Sequence, residues 1–162
     1  MNIENKPKPL PKPRPEDVGS PDTIIRAMYE CISGPAGERN WNRLRSLCLD
    51  GARLIPTGKQ LDEEDSLQAM SVDEWIEDVT DYFAQNDAYE MEIMNHMDRF
   101  GDIIQVFSTY EARDKLDGAR TARGIKSFQL LKHQGRWWIV TIVWVVESKD
   151  NPIPEEFLPY LW

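Results

Sequence analysis

The first half of the chain carries apolar residues at the spacing of a helix. In three segments they recur every three or four residues, which predicts three amphipathic helices. These helices begin at Ser20, near Asn40 and at Ser71. Ser20 can cap its helix before Pro21, and Ser71 has Glu74 at the spacing of a capping box. The pair Gly34-Pro35 ends the first helix.

The second half changes to the alternation and the β-branched and aromatic residues typical of strands. The predicted strands cover about 89–99, 102–114, 119–132 and 136–148. A further short strand is predicted at 52–55, and the acidic segment 62–65 is predicted to be a loop. The apolar side chains of such a sheet must be buried, and only the helical half of the chain can cover them. The pattern therefore predicts an α+β fold, with N-terminal helices packed on one side of a curved, mainly antiparallel sheet.

Both ends of the chain differ from the body between them. Proline occupies every second position from Pro7 to Pro15, a spacing that prevents a helix or a central strand. We expect residues 1–17 to be a disordered Pro/Lys-rich tail that samples polyproline II. Residues 18–162 are predicted to form a single domain, and its apolar last segment, EEFLPYLW, is expected to dock onto it.

The net negative charge of the chain indicates which macromolecules it is unsuited to bind. The chain has 162 residues, enough for one domain with a hydrophobic core, and a net charge of −9. Residues 1–15 carry +3, from four basic residues and one acidic residue, so the remainder carries −12. Affinity for phosphate needs a concentrated basic surface. We therefore expect no nucleic-acid partner.

The sequence contains no signal for a membrane, a cofactor or a metal. No apolar run is long enough for a signal-peptide core or a transmembrane helix, which predicts a cytoplasmic protein without membrane contact. Cys31 and Cys48 lie in apolar helical patterns and are expected to be buried thiols. No Gly-rich phosphate loop and no metal-ligand spacing occurs, so we expect neither a cofactor nor a metal.

The order of elements and several motifs resemble the NTF2-like (SnoaL-like) superfamily. The matching segments are ISGPAGERNWNRLRSLC, GARLIPTG, DRFGDIIQVFSTYEAR, ARGIKSFQLL, RWWIVTIVW and DNPIPEEFLP. They are similar to a group of uncharacterised bacterial NTF2-like proteins over about Val18 to Pro159. The resemblance implies an α+β cone with an internal pocket and, commonly, a dimer formed through the sheet. It implies no particular activity, because this fold hosts isomerases, dehydratases, hydrolases, cyclases and binding proteins.

The catalytic patterns of known members do not carry over to this chain. Ketosteroid isomerase-like enzymes place an aspartate base near the first strand, where this chain reads ARLIP over residues 52–56. Scytalone dehydratase-like sites use a pair of histidines, and this chain has only His96 and His133, the second of them in a predicted turn. The Asp–Arg–Asp relay of limonene epoxide hydrolase-like sites has no matching position in this chain.

Strand alternation selects the candidate ligand-binding residues. One face of the second long strand carries Ile104, Val106, Ser108 and Tyr110, and we expect it to turn toward the helices. On the next strand the expected partners are Arg123, Ile125, Ser127, Gln129 and Leu131. A single bulge would reverse this second face. The polar members of both sets would then form a ligand-binding patch inside an apolar cone. The alternative is that they satisfy one another, or that Arg123 pairs with Glu111 at the rim of the sheet.

Four residues are candidates for chemistry. Tyr110 beside Arg123 could act as an acid or stabilise an oxyanion. His96 and Glu92 fall on one predicted face of their strand, and His96 could act as a general base. The alternative for His96 is a solvated position or one at the rim of the core.

Three functions remain open from the sequence. In the first, Trp41 and the polar patch hold a small apolar or aromatic metabolite in the cone. In the second, a cofactor-free lyase, isomerase or hydrolase acts on such a molecule. In the third, the protein is a dimeric interaction module, and its own side chains fill the cone. A homodimer through the sheet is the expected assembly.

Overall fold

The computed structural model describes residues 9–57 and 67–161, which form four helices beside one five-stranded sheet. The helices are α1 (Pro15–Val18), α2 (Pro21–Ile32), α3 (Trp41–Leu47) and α4 (Val72–Gln85). The strands are β1 (Cys48–Pro56), β2 (Tyr89–Phe100), β3 (Ile103–Arg113), β4 (Arg120–His133) and β5 (Arg136–Val146). A short 3-10 helix at Glu155–Phe157 follows the last strand. No helix in these two ranges has the length and apolar character needed to cross a membrane.

The strands lie in the order β1-β5-β4-β3-β2. β1 runs parallel to β5, and the other neighbouring strands are antiparallel. The predicted α+β fold with a mainly antiparallel sheet is therefore confirmed. β1 is longer than the predicted strand at 52–55, because α3 ends at Leu47 and Cys48 already lies in the strand. The predicted loop at 62–65 lies outside the described residues.

The two helix starts that carry capping signals in the sequence form the expected capping hydrogen bonds. Ser20 Oγ accepts from the backbone N–H of Thr23 at 3.2 Å, and Thr23 Oγ1 accepts from the backbone N–H of Ser20 at 3.1 Å. Ser71 Oγ accepts from the backbone N–H of Glu74 at 3.1 Å. These bonds satisfy amide donors that have no partner within the first turn of a helix.

The helices pack on one face of the sheet, which we call the inner face. The central helix is α2, and its buried residues are Ile24, Ile25, Ala27, Met28, Tyr29, Cys31 and Ile32. They share one core with the buried strand residues Val106, Phe128, Leu130, Ile139 and Ile142. Full burial of one such side chain stabilises the fold by about 1.5–3 kcal/mol. The opposite face, which we call the outer face, has no α-helix packed on it in the described residues.

Arginine side chains connect the helices to one another. Arg43 of α3 binds Asp17 of α1 through two N–H donors at 2.8 Å each, and it donates to Glu30 of α2 at 2.7 Å. Asp17 is only 4% exposed, and its hydrogen bond with Arg43 holds the pKa of its carboxyl below the usual value. The boundary between tail and domain that the sequence predicts at residue 17 falls inside α1, and residues 1–8 lie outside the described part.

The chain after β5 crosses the outer face of the sheet. We call residues 148–157 the strap. Its end is anchored by Phe157, whose backbone oxygen accepts from Thr109 Oγ1 at 2.7 Å. The Phe157 ring also packs on Phe107, with 5.4 Å between the ring centres. Beyond the strap, Tyr160 and Leu161 are exposed at the surface.

Candidate functional site

A chain of hydrogen bonds links the inner face of the sheet to α2. Ser108 of β3 donates its hydroxyl proton to Glu92 of β2, with 2.5 Å between Oγ and Oε2. Because that proton is used, Tyr29 of α2 donates to Ser108 Oγ, across 2.7 Å. Asn95 Nδ2 donates to the other oxygen of Glu92 at 2.7 Å. The Glu92 carboxyl thus accepts from two side chains, and Tyr29 completes the chain.

A bulge in β2 places Glu92 and Asn95 on the same face, although three residues separate them in sequence. Glu92 pairs with Tyr110, and Asn95 pairs with Ser108, only two residues away on β3. Between these pairs β2 therefore contains one extra residue, Ile93. Without it, strand alternation would turn residues three apart to opposite faces.

A buried lysine lies beside this chain of hydrogen bonds. Lys126 of β4 is 6% exposed, and its Nζ lies 3.0 Å from Glu90 Oε2. The same nitrogen lies 4.1 Å from the centre of the Tyr110 ring and 5.1 Å from the centre of a Trp144 ring. The carboxylate and the two ring faces stabilise a charge that burial alone would disfavour.

Gly124 makes room for Tyr110, its partner across the β3–β4 pair. A Cβ at Gly124 would lie 2.8 Å from the Tyr110 hydroxyl oxygen and would overlap the backbone oxygen of Val145. The close approach therefore requires glycine. Burial raises the pKa of Tyr110, so its phenol remains protonated at neutral pH.

Burial also changes the acidity of Glu92. Desolvation raises the pKa of its carboxyl, and the hydrogen bonds from Ser108 and Asn95 oppose that shift. Desolvation likewise raises the pKa of Tyr29, which keeps the phenol protonated as a donor. No ion pair to Glu92 occurs among the residues that the structure describes. The charge of Arg26 acts on Glu92 only at longer range. A desolvated carboxyl without a direct ion pair is suited to exchange a proton or to receive a cationic ligand.

Glu92 and Tyr29 line a cavity between α2 and β2, with a volume of about 450 Å³. We call it the α2–β2 cavity. Its other lining residues are Asp22, Arg26, Glu30, Ser33, Glu90 and Met91. The hydrogen-bond chain of Glu92, Ser108 and Tyr29 thus reaches a space of the size that small molecules occupy in proteins.

The lining of the α2–β2 cavity is predominantly acidic. Two of its four carboxylates, Glu30 and Glu90, are paired with basic residues. Asp22 and Glu92 have no ion-pair partner in the described ranges, and Arg26 is the basic residue of the lining. Across residues 9–57 and 67–161, no three His, Cys, Asp or Glu side chains are arranged to hold a metal ion.

The centre of the inner face is packed with side chains. The Tyr29 ring lies 6.2 Å from the Tyr110 ring and 6.5 Å from the Phe128 ring, centre to centre. Val106 and Ile142 are buried in the same core. The α2–β2 cavity instead lies beside β2, which is one of the two edge strands of the sheet.

The structure brings together three of the residues that the sequence selects. β3 turns the expected face toward the helices, so Ser108 and Tyr110 are buried there. Glu92 joins them because it pairs with Tyr110. The expected neighbour of Tyr110, Arg123, is absent from this face, and Lys126 lies over the phenol ring instead.

The predicted face of β4 is wrong. The residues that turn to the outer face are Arg123, Ile125, Ser127, Gln129 and Leu131. The cause is a one-residue shift in register near the turn before β4, where Thr121 is the extra residue. Such a bulge moves every later side chain to the opposite face. Arg123, Ser127 and Gln129 therefore form no patch with Ser108 and Tyr110.

Arg123 binds Glu147, just beyond the end of β5. Its Nε and Nη2 donate to the two carboxylate oxygens at 2.5 and 3.0 Å. This pair raises the pKa of Arg123 and lowers that of Glu147. Glu111, the partner that the sequence alternative names, instead lies within ion-pair distance of Arg113 and Arg120.

His96 lies on the outer face, so its predicted grouping with Glu92 is also wrong. The extra residue Ile93 comes between them and reverses the alternation. His96 Nε2 lies 3.5 Å from Asp98, and its ring is 6.4 Å from that of Phe157. His96 lines a hollow of about 310 Å³ beside the strap.

Trp41 contributes to helix packing at α4. Its ring contacts those of Trp75 and Phe83, with 5.9 Å between centres in both cases. It lines a surface hollow at the start of α3 with Arg45 and does not line the α2–β2 cavity. The structure therefore does not bring Trp41 together with Ser108 and Tyr110.

Sequence reasoning missed Tyr29, Asn95 and Lys126. Tyr29 belongs to the apolar stripe of α2, which indicates burial but not a hydrogen bond to a residue 79 positions away. Asn95 reaches the inner face only because of the bulge. Lys126 lies two residues before Phe128, on the same face of β4. A lysine among the apolar residues of one strand face is the feature of the sequence that indicates a buried charge.

Sequence comparison and structure comparison give different results for this chain. No protein-family model matches it, and no curated protein matches it significantly. Solved structures do match. A protein of unknown function with a cystatin-like fold from Nostoc punctiforme has a TM-score of 0.59 at 10% identity, covering 78% of this chain and 87% of that chain.

Two further matches are NTF2-like proteins of unknown function. The one from Silicibacter pomeroyi has a TM-score of 0.54 at 18% identity, over 78% of this chain and 92% of that chain. The one from Methylobacillus flagellatus has a TM-score of 0.52 at 14% identity, over 80% of this chain and 95% of that chain. The chain therefore has the NTF2-like fold, as its sequence motifs predict. At these identities the likeness shows the fold alone.

We predict that Glu92 titrates above an unperturbed glutamate, whose pKa is about 4.3. Ser108→Ala removes a hydrogen bond that favours the carboxylate, so it should raise the pKa of Glu92 further. Carbon-detected NMR of side-chain carboxyls across pH, assigned with Glu92→Gln, measures both values. Thr141→Val removes a side-chain hydroxyl from the outer face and should change nothing. A Glu92 pKa at or below the unperturbed value would contradict the prediction.

Proposed function

We propose that this protein binds a small aromatic or apolar metabolite carrying a positively charged amine, and that the binding site is the α2–β2 cavity. The observation that supports this most is the Glu92 carboxyl. It lines the cavity, it is held by Ser108 and Asn95, and no basic side chain of the described residues lies within ion-pair distance of it, since Arg26 acts on it only from farther away. An amine on the ligand would complete this ion pair and offset the cost of burying the carboxylate.

The rest of the lining supports the same class of ligand. Asp22 is a second carboxylate without an ion-pair partner in the described ranges, so the cavity attracts cations and repels anions. Tyr29 offers its ring to the body of the ligand. A volume of about 450 Å³ accommodates one ring with a short side chain.

We predict that phenethylamine binds and that phenylacetate, with a similar ring but the opposite charge, does not. Glu92→Gln should weaken phenethylamine binding at least tenfold, about 1.4 kcal/mol, because the ion pair is lost. Chemical-shift titration of labelled protein measures both affinities and locates the binding. Glu77→Gln, an exposed acid of α4, is the matched control. Equal binding of the two compounds, or no effect of Glu92→Gln, would refute the proposal.

The second candidate is a cofactor-free lyase, isomerase or hydrolase in which Glu92 moves a proton. The raised pKa of Glu92 favours this reading, because a carboxylate that is more basic than an exposed one is a better proton acceptor. Ser108 and Tyr29 would hold the carboxyl and supply a donor behind it. Arg123 and His96 take no part, since both lie on the outer face.

We predict that 5-nitrobenzisoxazole reports such a base. Removal of the proton at its C3 breaks the N–O bond and gives coloured 2-cyano-4-nitrophenolate. Turnover should rise with pH through the pKa of Glu92, because only the carboxylate accepts the proton, and Glu92→Gln should lower it at least tenfold. Glu77→Gln is again the control. Turnover that Glu92→Gln does not change would exclude this role for Glu92.

We also propose a homodimer through the outer face of the sheet. Phe100 and Ile103, at the turn between β2 and β3, are 84% and 57% exposed, respectively. With Leu131 and Val140 they line an apolar depression of about 500 Å³, which we call the hairpin patch. A contiguous apolar patch of this kind is typical of a protein interface. The same surface would serve the interaction module that the sequence leaves open.

We predict that Ile103→Asp converts the dimer to a monomer, because it places a charge in the hairpin patch. Light scattering after size exclusion measures the mass. Leu116→Asp is the matched control, since Leu116 is 63% exposed in the turn between β3 and β4, away from the patch. A monomeric wild-type protein, or a dimer that Ile103→Asp leaves intact, would exclude this interface.

A further inference from the structure

The strap is attached to the outer face near its middle and at its end. At its start it forms a turn, closed by two backbone hydrogen bonds of 3.1 and 3.2 Å that Ser148 and Asn151 exchange. Near its middle, the backbone N–H of Ile153 donates to Glu147 Oε1 at 3.0 Å. At its end, Phe157 accepts from the Thr109 hydroxyl. Pro152 and Pro154 restrict the backbone between these attachments. The strap is therefore a defined wall above the sheet.

An apolar groove of about 570 Å³ lies between the strap and the sheet. We call it the strap groove. Its floor consists of strand residues, and its wall consists of strap residues. The apolar lining residues are Phe107, Ile125, Val143, Val145, Pro152, Ile153, Pro154 and Phe157. Three uncharged polar residues, Gln105, Ser127 and Asn151, also line the groove.

The charge within the strap groove is already neutralised. Glu147 is the one ionisable residue among its described lining residues. Both oxygens of Glu147 are used, because Arg123 binds them in a bidentate pair and Ile153 donates its backbone N–H to Oε1. A charged ligand would find no opposite charge there, and its desolvation would go uncompensated.

We propose that the strap groove is a second binding site, for an uncharged and mainly apolar small molecule with one hydrogen-bonding group near Ser127. The volume fits a small molecule, and the polar side chains can fix its orientation. This site is separate from the α2–β2 cavity, because Ser127 lies on the outer face and Glu92 on the inner face. The proposal therefore does not depend on the proposed function.

A second copy of the chain is the competing occupant of the outer face. The strap lies beside the part of this face around Phe107, and the hairpin patch lies around Ile103, with Gln105 lining both hollows. The groove between the strap and the sheet has the volume of a small-molecule site, so a small molecule is the occupant that we propose.

The test uses the full chain and the neutral fluorescent dye N-phenyl-1-naphthylamine. The expected result is saturable binding that shifts the methyl signals of Ile125, Val143 and Val145 in labelled wild-type protein. Ser127→Trp should weaken dye binding at least tenfold by filling the groove, and Phe157→Ala should weaken it by removing one wall. Leu116→Trp adds the same ring in an exposed turn and should leave the affinity unchanged.

Three results would overturn the proposal. The first is no saturable dye binding to the wild-type protein. The second is binding that shifts methyl signals elsewhere, or that saturating phenethylamine displaces. The third is a dimer that Ser127→Trp converts to a monomer while the dye shifts none of the groove methyls, which would make the groove a subunit contact. The wild-type methyl shifts decide the question even if Ser127→Trp fails to fold.

Discussion

The pairing register of the sheet is the constraint on which the rest of this structure depends. One extra residue in β2 and one in β4 decide which side chains meet α2 and which face outward. With both bulges, Glu92, Asn95, Ser108 and Lys126 converge on Tyr29 and Tyr110, whereas His96, Arg123 and Ser127 turn away. Bulges often occur beside active sites because they redirect a side chain without changing the fold around it.

The buried carboxyl of Glu92 on the inner face lowers the stability of the fold at high pH. The native state holds the proton of Glu92 more tightly than the unfolded chain does, since burial raises its pKa. Stability from this group is therefore present below the unfolded pKa and is lost as pH rises through the native value. A hydrophobic residue at this position would avoid that loss. Retaining a carboxyl there is typical of a site kept for function at the expense of stability.

Periodicity predicts the helices, the four long strands and the inner face of β3, because these depend on local spacing that the sequence displays directly. The face of β4 and the place of His96 depend on Thr121 and Ile93, which look like ordinary strand residues. Arg43 binds Asp17 and Glu30, which lie 26 and 13 residues away along the chain. Such partners come together only when the chain folds, so no local pattern indicates them.

The strap divides the outer face into two regions, one constrained by contacts within the chain and the other exposed at the surface. Beneath it, Ile125, Val143 and Val145 must fit Ile153 and Phe157, and the Arg123–Glu147 pair must keep its geometry. Outside the strap, Phe100 and Ile103 are exposed to solvent and to any binding partner. The two regions are therefore free to diverge separately. During evolution, changes at 125 or 143 will be accompanied by changes in the strap, whereas positions 100 and 103 will vary with the partner.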